Sequence, residues 1–338
     1  MNNTTGILVW ISLLTLMVLV LIIIGGLTRL TNSGLSMVDW KPLMGIIPPL
    51  TYQTWIEIFN NYKLTPEFQI INSKISLEEF KYIFWWEWFH RFFARFIGIV
   101  FIFPFIYFLL KKQLSKNILI ILIFVFIFGL FQAIVGWWMV KSGLVDNPYV
   151  SAYRLAFHFA NALIIFSILF WLSLSLFYGT NINQLRRKSI KHFFHISLIL
   201  IFITIVSGSF MAGTDSGKSF NTFPLMNGQY FPEGYYLNIY GWKNIFENTV
   251  AINFNHRWLA VFTFLFISSI IIFLLTYKRR ENNIFSLILV LFTLSLQIFL
   301  GILTLVYEVP LSFAIFHQTN AVLLLASMLF AYHRLIYK

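Results

Sequence analysis

Four histidines carry the chemistry that this sequence can do. His90 sits in "WWEWFHRFF" (85–93), His158 ends "YRLAFH" (153–158), His256 lies in "NFNHR" (253–257) and His317 in "FHQTNA" (316–321). Each falls in the first turn or two of an apolar run long enough to cross a bilayer, where ionisable side chains are costly and usually functional. A neutral imidazole there is a ready metal ligand. Zinc or copper alone would want a third or fourth ligand, yet the chain has no cysteine and no His-x-x-x-His. Haem needs only two, because the porphyrin supplies four nitrogens and its apolar faces suit a helical interior. The pattern points to two bis-histidine haem sites, with His90, His158, His256 and His317 as axial iron ligands. The alternative, a core histidine satisfied by a hydrogen bond, is weakened by the fourfold recurrence. Arg91 and Arg257 directly follow two of these histidines and suit haem propionates near the interface, as do Arg95 and Arg154. Snorkelling anchors at helix ends are the plainer reading of the same arginines.

The elements that must position these residues are membrane helices. Of 338 residues 59% are hydrophobic and only 11% charged, too few charges to cover a soluble domain. Apolar runs of about 20 residues, enough for a hydrocarbon core of roughly 30 Å, occur at 7–27, 90–110, 118–140, 153–178, 193–213, 256–276, 284–306 and 312–335. The first is too long for a removable signal and lacks a cleavage pattern, so the chain is expected to be used from residue 1. The net charge of +12 is a matter of topology. Loops 111–117, 180–192 and 277–283 carry ten Lys/Arg against one acid, which by the positive-inside rule puts them and both termini in the cytoplasm. The basic excess suits anionic membrane lipid and needs no nucleic acid. His192, His195 and His333 read as ordinary interfacial residues on that side.

The chain also repeats itself. "SGLSMVDWKPLMG" (33–45) echoes "SGKSFNTFPLMNG" (216–228), "FHRFFA" (89–94) echoes "NHRWLA" (255–260), Gln132 and Gly136 match Gln297 and Gly301, and "FHFANA" (157–162) matches "FHQTNA". Four matches in one order, offset by 159–183 residues, imply a duplicated four-helix unit. An even helix number makes the copies parallel rather than inverted. The expected fold is an all-α membrane protein. Its eight transmembrane helices form two tandem pseudo-symmetric four-helix bundles, 1–179 and 193–338, joined by a cytoplasmic linker at 180–192. In the outer loops, 64–84 reads as an amphipathic interfacial segment, and the turn-rich 32–45 as a cap.

"GGLTRLTNSGLSMVDWKPLMG" (25–45), "EWFHR", "YRLAFH", "GTDSGKSFNTFPLM" (213–226), "NFNHR" and "FHQTNA" together resemble the haem A synthase family, over nearly the whole chain. The resemblance implies oxidation of the C8 methyl of haem O to the formyl of haem A, by successive hydroxylations to a geminal diol that loses water. It implies haem b in the C-terminal half on His256 and His317, and substrate haem O in the N-terminal half on His90 and His158. It further implies a bacterial inner membrane, with a mitochondrial one the lesser alternative. A haem O synthase as supplier and an unidentified electron acceptor are the partners it brings, and homo-oligomerisation is left open. Some relatives carry cysteine pairs in outer loops; this chain has none.

One asymmetry joins the two readings. Glu87 precedes His90 by three residues, whereas Asn253 precedes His256, and that spacing puts both side chains on one helix face. A carboxylate beside a methyl losing electrons can stabilise positive charge and accept a proton. The expected catalytic set is Glu87, His90 and His158. Glu87 as an acid favoured by a helix N-terminus is the alternative. A di-haem b-type cytochrome acting only in electron transfer would gain nothing from Glu87. A transporter or haem exporter is disfavoured by the parallel repeats.

Overall fold

The computed structural model describes residues 3–38, 44–145, 148–180, 188–277 and 284–337. Eleven α-helices occur among them: α1 (Asn3–Leu30), α2 (Tyr52–Lys63), α3 (Pro66–Ile70), α4 (Leu77–Leu110), α5 (Lys116–Lys141), α6 (Ala152–Tyr178), α7 (Lys188–Gly213), α8 (Asn244–Glu247), α9 (Thr249–Tyr277), α10 (Ile284–Val306) and α11 (Leu311–Ile336). Eight of these, α1, α4, α5, α6, α7, α9, α10 and α11, are long and apolar enough to cross a membrane. The chain is an all-α membrane protein, as its hydropathy required. Most of the basic loops 180–192 and 277–283, and residues 39–43 of the cap, lie outside the described residues.

The largest departure from expectation is α4. It begins at Leu77, not near residue 90, because a capping box fixes its start: Ser76 Oγ accepts the Glu79 N–H and Glu79 Oε2 accepts the Ser76 N–H. Each such cap satisfies backbone donors that the first turn leaves unpaired. The helix runs on through Pro104 to Leu110. His90 therefore lies more than three turns inside its helix. His158, His256 and His317 do lie in the second turns of α6, α9 and α11.

The segment 64–84 is not a lone interfacial helix. It splits into α3 and the start of α4, and these fold over α2 around Trp55, Phe59, Tyr62, Phe80, Ile83 and Phe84, with Met37 joining them. Tyr62 and Phe80 are fully buried, with ring centroids 4.9 Å apart. One set of its apolar residues packs inward on this cluster while Leu64, Ile70 and Tyr82 stay exposed, which is why the stretch looked amphipathic.

The chain divides into two compact units: Leu16–Ile165, and Met1–Thr15 with Phe166–Lys338. The division passes through α1 and α6. His90 and His158 belong to the first unit, His256 and His317 to the second.

Candidate functional site

In the first unit His90 on α4 and His158 on α6 are brought within electrostatic reach of each other. Both rings lie against a glycine of a neighbouring helix. A Cβ on Gly25 of α1 would come 3.0 Å from His90 Cε1, and one on Gly136 of α5 would come 3.1 Å from His158 Cε1. One turn before Gly136, Gln132 places its Nε2 3.3 Å from His158 Nε2 and donates to the His158 carbonyl at 3.0 Å. Asn161 holds Gln132 in turn, its Nδ2 donating to Gln132 Oε1 at 2.5 Å and to the Phe128 carbonyl at 3.1 Å. Among the described residues the Nδ1 atoms of His90 and His158 are buried without a hydrogen-bond partner.

The second unit repeats the arrangement. His256 on α9 and His317 on α11 interact electrostatically. Their Cε1 atoms lie 3.1 Å and 2.9 Å from the Cβ positions of Gly208 and Gly301. Gln297 Nε2 is 3.2 Å from His317 Nδ1 and 3.4 Å from its Nε2, and Asn320 Nδ2 donates to Gln297 Oε1 at 2.8 Å. There is one addition: Ser207 Oγ lies 2.7 Å from His256 Nδ1.

A loop is clamped beside one histidine of each pair. Glu87 is buried, at 2% exposure. Its Oε1 accepts from Arg91 Nη2 at 2.5 Å, and its Oε2 from Ser36 Oγ at 2.7 Å and the Met37 N–H at 2.8 Å. Arg91 also donates to the Met37 carbonyl. A buried ion pair is favourable only when further hydrogen bonds offset its desolvation, and the loop supplies them. In the second unit Asn253, fully buried, donates to the Ser216 carbonyl at 2.7 Å and accepts from Arg257 Nε at 2.6 Å. Arg257 then donates to the carbonyls of Thr222 and Phe220. The repeated "SG-x-S" segments are thus tied down by the repeated helix positions 87/91 and 253/257. Glu87 stands well past the first turn of α4, where the helix dipole has faded, so the reading as a helix-end acid does not hold.

The arginines have more to do than expected. Three of the five N–H donors of Arg257 go to Asn253, Thr222 and Phe220. Arg154 donates to the Trp138 carbonyl and lies 4.4 Å over its ring. Arg95 approaches the turn at Gly45.

His333, in the last turn of its helix, is packed inside the protein. It is fully buried on α11 among Trp171, Tyr178 and Tyr337, with Ser175 Oγ 3.3 Å from its Nε2. His195 keeps a hydrogen bond with the Tyr332 hydroxyl.

What this arrangement can hold follows from its donors. Among the described residues no group of three or more His, Cys, Asp or Glu could bind a bare metal ion. Two imidazoles in each unit, set over glycines where any side chain would intrude, match in number the two axial donors that a haem requires. The positioning residues Gly25, Gly208, Asn161 and Asn320 were missed by sequence reasoning. The 183-residue offset would have exposed the two glycines, and the shared "NA" after each "FH" the two asparagines.

Comparison with known proteins agrees with this geometry. A family model described as "Cytochrome oxidase assembly protein" matches residues 8–329. The chain is 40% identical over 335 residues to a protein named Heme A synthase from Nitrosospira multiformis, covering 97% of this chain and 92% of that one. It is 42% identical over 324 residues to one of the same name from Wolbachia pipientis subsp. Culex pipiens, covering 95% of each. A Flavobacterium psychrophilum relative so named is 39% identical over 346 residues, covering 99% of both. With a family model over nearly all its length and such relatives end to end, the chain belongs to the haem A synthase family.

Proposed function

We propose that this protein makes haem A, oxidising the C8 methyl of haem O to a formyl group by successive hydroxylations. The relatives' name supplies the reaction. The observation that carries it to these residues is the placement of Glu87: of two glycine-backed histidine pairs, only one has a buried carboxylate one turn before a histidine. His90 and His158 would hold substrate haem O, while His256 and His317 would hold haem b, which supplies an electron relay when bound. The halves 1–179 and 193–338 act as the substrate and cofactor bundles of a duplicated unit.

Glu87 serves the substrate side in two ways. Its oxygens offer about four lone-pair sites, of which Arg91, Ser36 and Met37 use three. The remaining one can take a proton released from the oxidised carbon. Its anchoring of residues 36–37 also closes the loop over that end of α4, keeping water out of the site and strengthening electrostatics there. Asn253 does the anchoring without the charge. Arg91 and Arg257, each directly after the first histidine of a pair, would be the partners of propionates.

The protein is read as a bacterial inner-membrane protein with both termini cytoplasmic. Reporter fusions at Lys116 should appear inside and those near Ser36 and Gly228 outside. A haem O synthase would supply substrate, and an electron acceptor would draw off reducing equivalents. The second reading, a di-haem b-type cytochrome, is favoured by the matching Gln132–His158 and Gln297–His317 networks. Haems extracted from the purified protein distinguish the two. Haem b together with haem O or haem A supports synthesis, and haem b alone supports electron transfer.

A further inference from the structure

The first histidines of the two pairs differ at one hydrogen bond. Ser207 has a single hydroxyl proton and donates it to the Thr204 carbonyl at 2.8 Å. Its oxygen also lies 2.7 Å from His256 Nδ1. With iron on Nε2, the Nδ1 of His256 carries the ring proton, and Ser207 Oγ is placed to accept it. Ser207 stands immediately before Gly208, the glycine against which the same imidazole rests.

The repeat locates the counterpart. Gly25 and Gly208 both back the first histidine of a pair, and the offset that matches Ser33 to Ser216 also matches Gly25 to Gly208. The residue before Gly25 is Ile24, buried and without a polar atom. Among the described residues His90 Nδ1 is correspondingly buried without a partner. If Nε2 binds iron, Nδ1 must carry a proton that none of those residues accepts. At the second histidines Gln297 Nε2 lies 3.2 Å from His317 Nδ1, while Gln132 reaches His158 at Nε2, but an amide N–H group accepts no proton from Nδ1 in either unit.

We propose that Ser207 and Ile24 sort the two pairs into a retaining site and an exchanging one. Ser207 orients His256 and raises its ligand strength, so the C-terminal haem stays bound through many turnovers. Ile24 withholds that support from His90, so the N-terminal pair lets a product haem go. Loss of such an outer partner typically costs 10–100-fold in metal affinity. The inference rests on the assignment of cofactor and substrate halves made above, and it makes Ser207 a positioning residue.

The test uses the full-length protein loaded with protohaem, with loss of haem to an apo-globin acceptor followed by absorbance and the midpoint potential taken by redox titration. Ser207→Ala should speed haem loss from the C-terminal pair 10–100-fold and raise its potential, because a weaker donor stabilises ferric iron less. Ser207→Thr, which keeps the hydroxyl, should restore both values. Ile24→Ser should slow protohaem loss from the N-terminal pair, and this gain does not depend on how well Ser207→Ala folds. Unchanged loss rates and potential in Ser207→Ala, with wild type carrying haem b, would overturn this proposal alone. A wild-type protein with no haem on His256 and His317 would overturn the cofactor assignment and this proposal with it.

Discussion

Met37 donates its backbone N–H to Glu87 Oε2 at 2.8 Å, so the outer loop closes on the carboxylate itself. Replacement by glutamine therefore does more than remove a charge. An amide cannot accept from both Arg91 and the Met37–Ser36 pair, and one buried donor is left unmet at about 1–3 kcal/mol. Glu87→Gln should keep protohaem on the C-terminal pair, melt somewhat lower, and lose 10²–10⁴-fold in haem A formation, typical of a lost acid/base group. Haem A production at the wild-type rate would reduce Glu87 to a loop anchor. Ser36→Ala is the companion, since it weakens the same clamp but leaves the carboxylate and should cost far less activity.

The glycines give a sharper separation. Alanine is favoured over glycine inside a helix, so Gly208→Ala and Gly301→Ala should not unravel α7 or α10. Their new methyls would meet His256 and His317 at about 3 Å and push the rings aside. Haem b content should fall while helicity by circular dichroism stays level. Gly25→Ala and Gly136→Ala should spare haem b and weaken the substrate pair. Gly98 and Gly129 face nothing within 4 Å, and their alanine variants should behave as wild type.

Removing the ligands themselves should follow the same division. His256→Ala or His317→Ala should remove the low-spin haem b spectrum and stop turnover, whereas His90→Ala or His158→Ala should leave that spectrum largely intact. Equal loss of haem b from all four variants would contradict two separate sites.

The loop around α2 and α3 should respond to pH. Glu67 is buried at 4% exposure, with the Tyr62 hydroxyl donating to its Oε2 at 3.0 Å. Burial pushes its pKa from the ordinary 4.5 up to about 7, the Tyr62 hydrogen bond pulling it down and the charge of Glu87 raising it. The folded loop then holds a proton that the unfolded loop has released, so stability falls as pH rises from about 4.5 to about 7. Tryptophan-fluorescence melts reporting on Trp55 should show that fall, and Glu67→Gln should flatten it. A flat wild-type profile would be inconsistent with a protonated Glu67.

Much of this was legible in the sequence because membrane crossing is written in length and hydropathy. All eight spans and all four site histidines stood out on that basis. What failed did so where tertiary packing overrides pattern. The extra turns of α4 depend on the Ser76–Glu79 cap, and the packing of Phe80, Ile83 and Phe84 depends on α2, distant in sequence. His333 was misjudged because its burial comes from Trp171 and Tyr178, residues far away in sequence. The loop-clamping roles of Glu87 and Asn253 were hidden for the same reason: their partners, Met37 in irregular backbone and Ser216 at the start of a short 3-10 helix, are distant in sequence.

The account stands or falls on what becomes of haem O. Expressed in a host that makes haem O but no haem A, the wild-type chain should yield extracts in which reversed-phase chromatography resolves haem A, identified by the mass of its formyl product. Glu87→Gln membranes from the same host should hold haem O and a hydroxylated intermediate in its place. Extracts of the wild-type strain containing only haem b and unaltered haem O, with the protein present and carrying haem b, would contradict it.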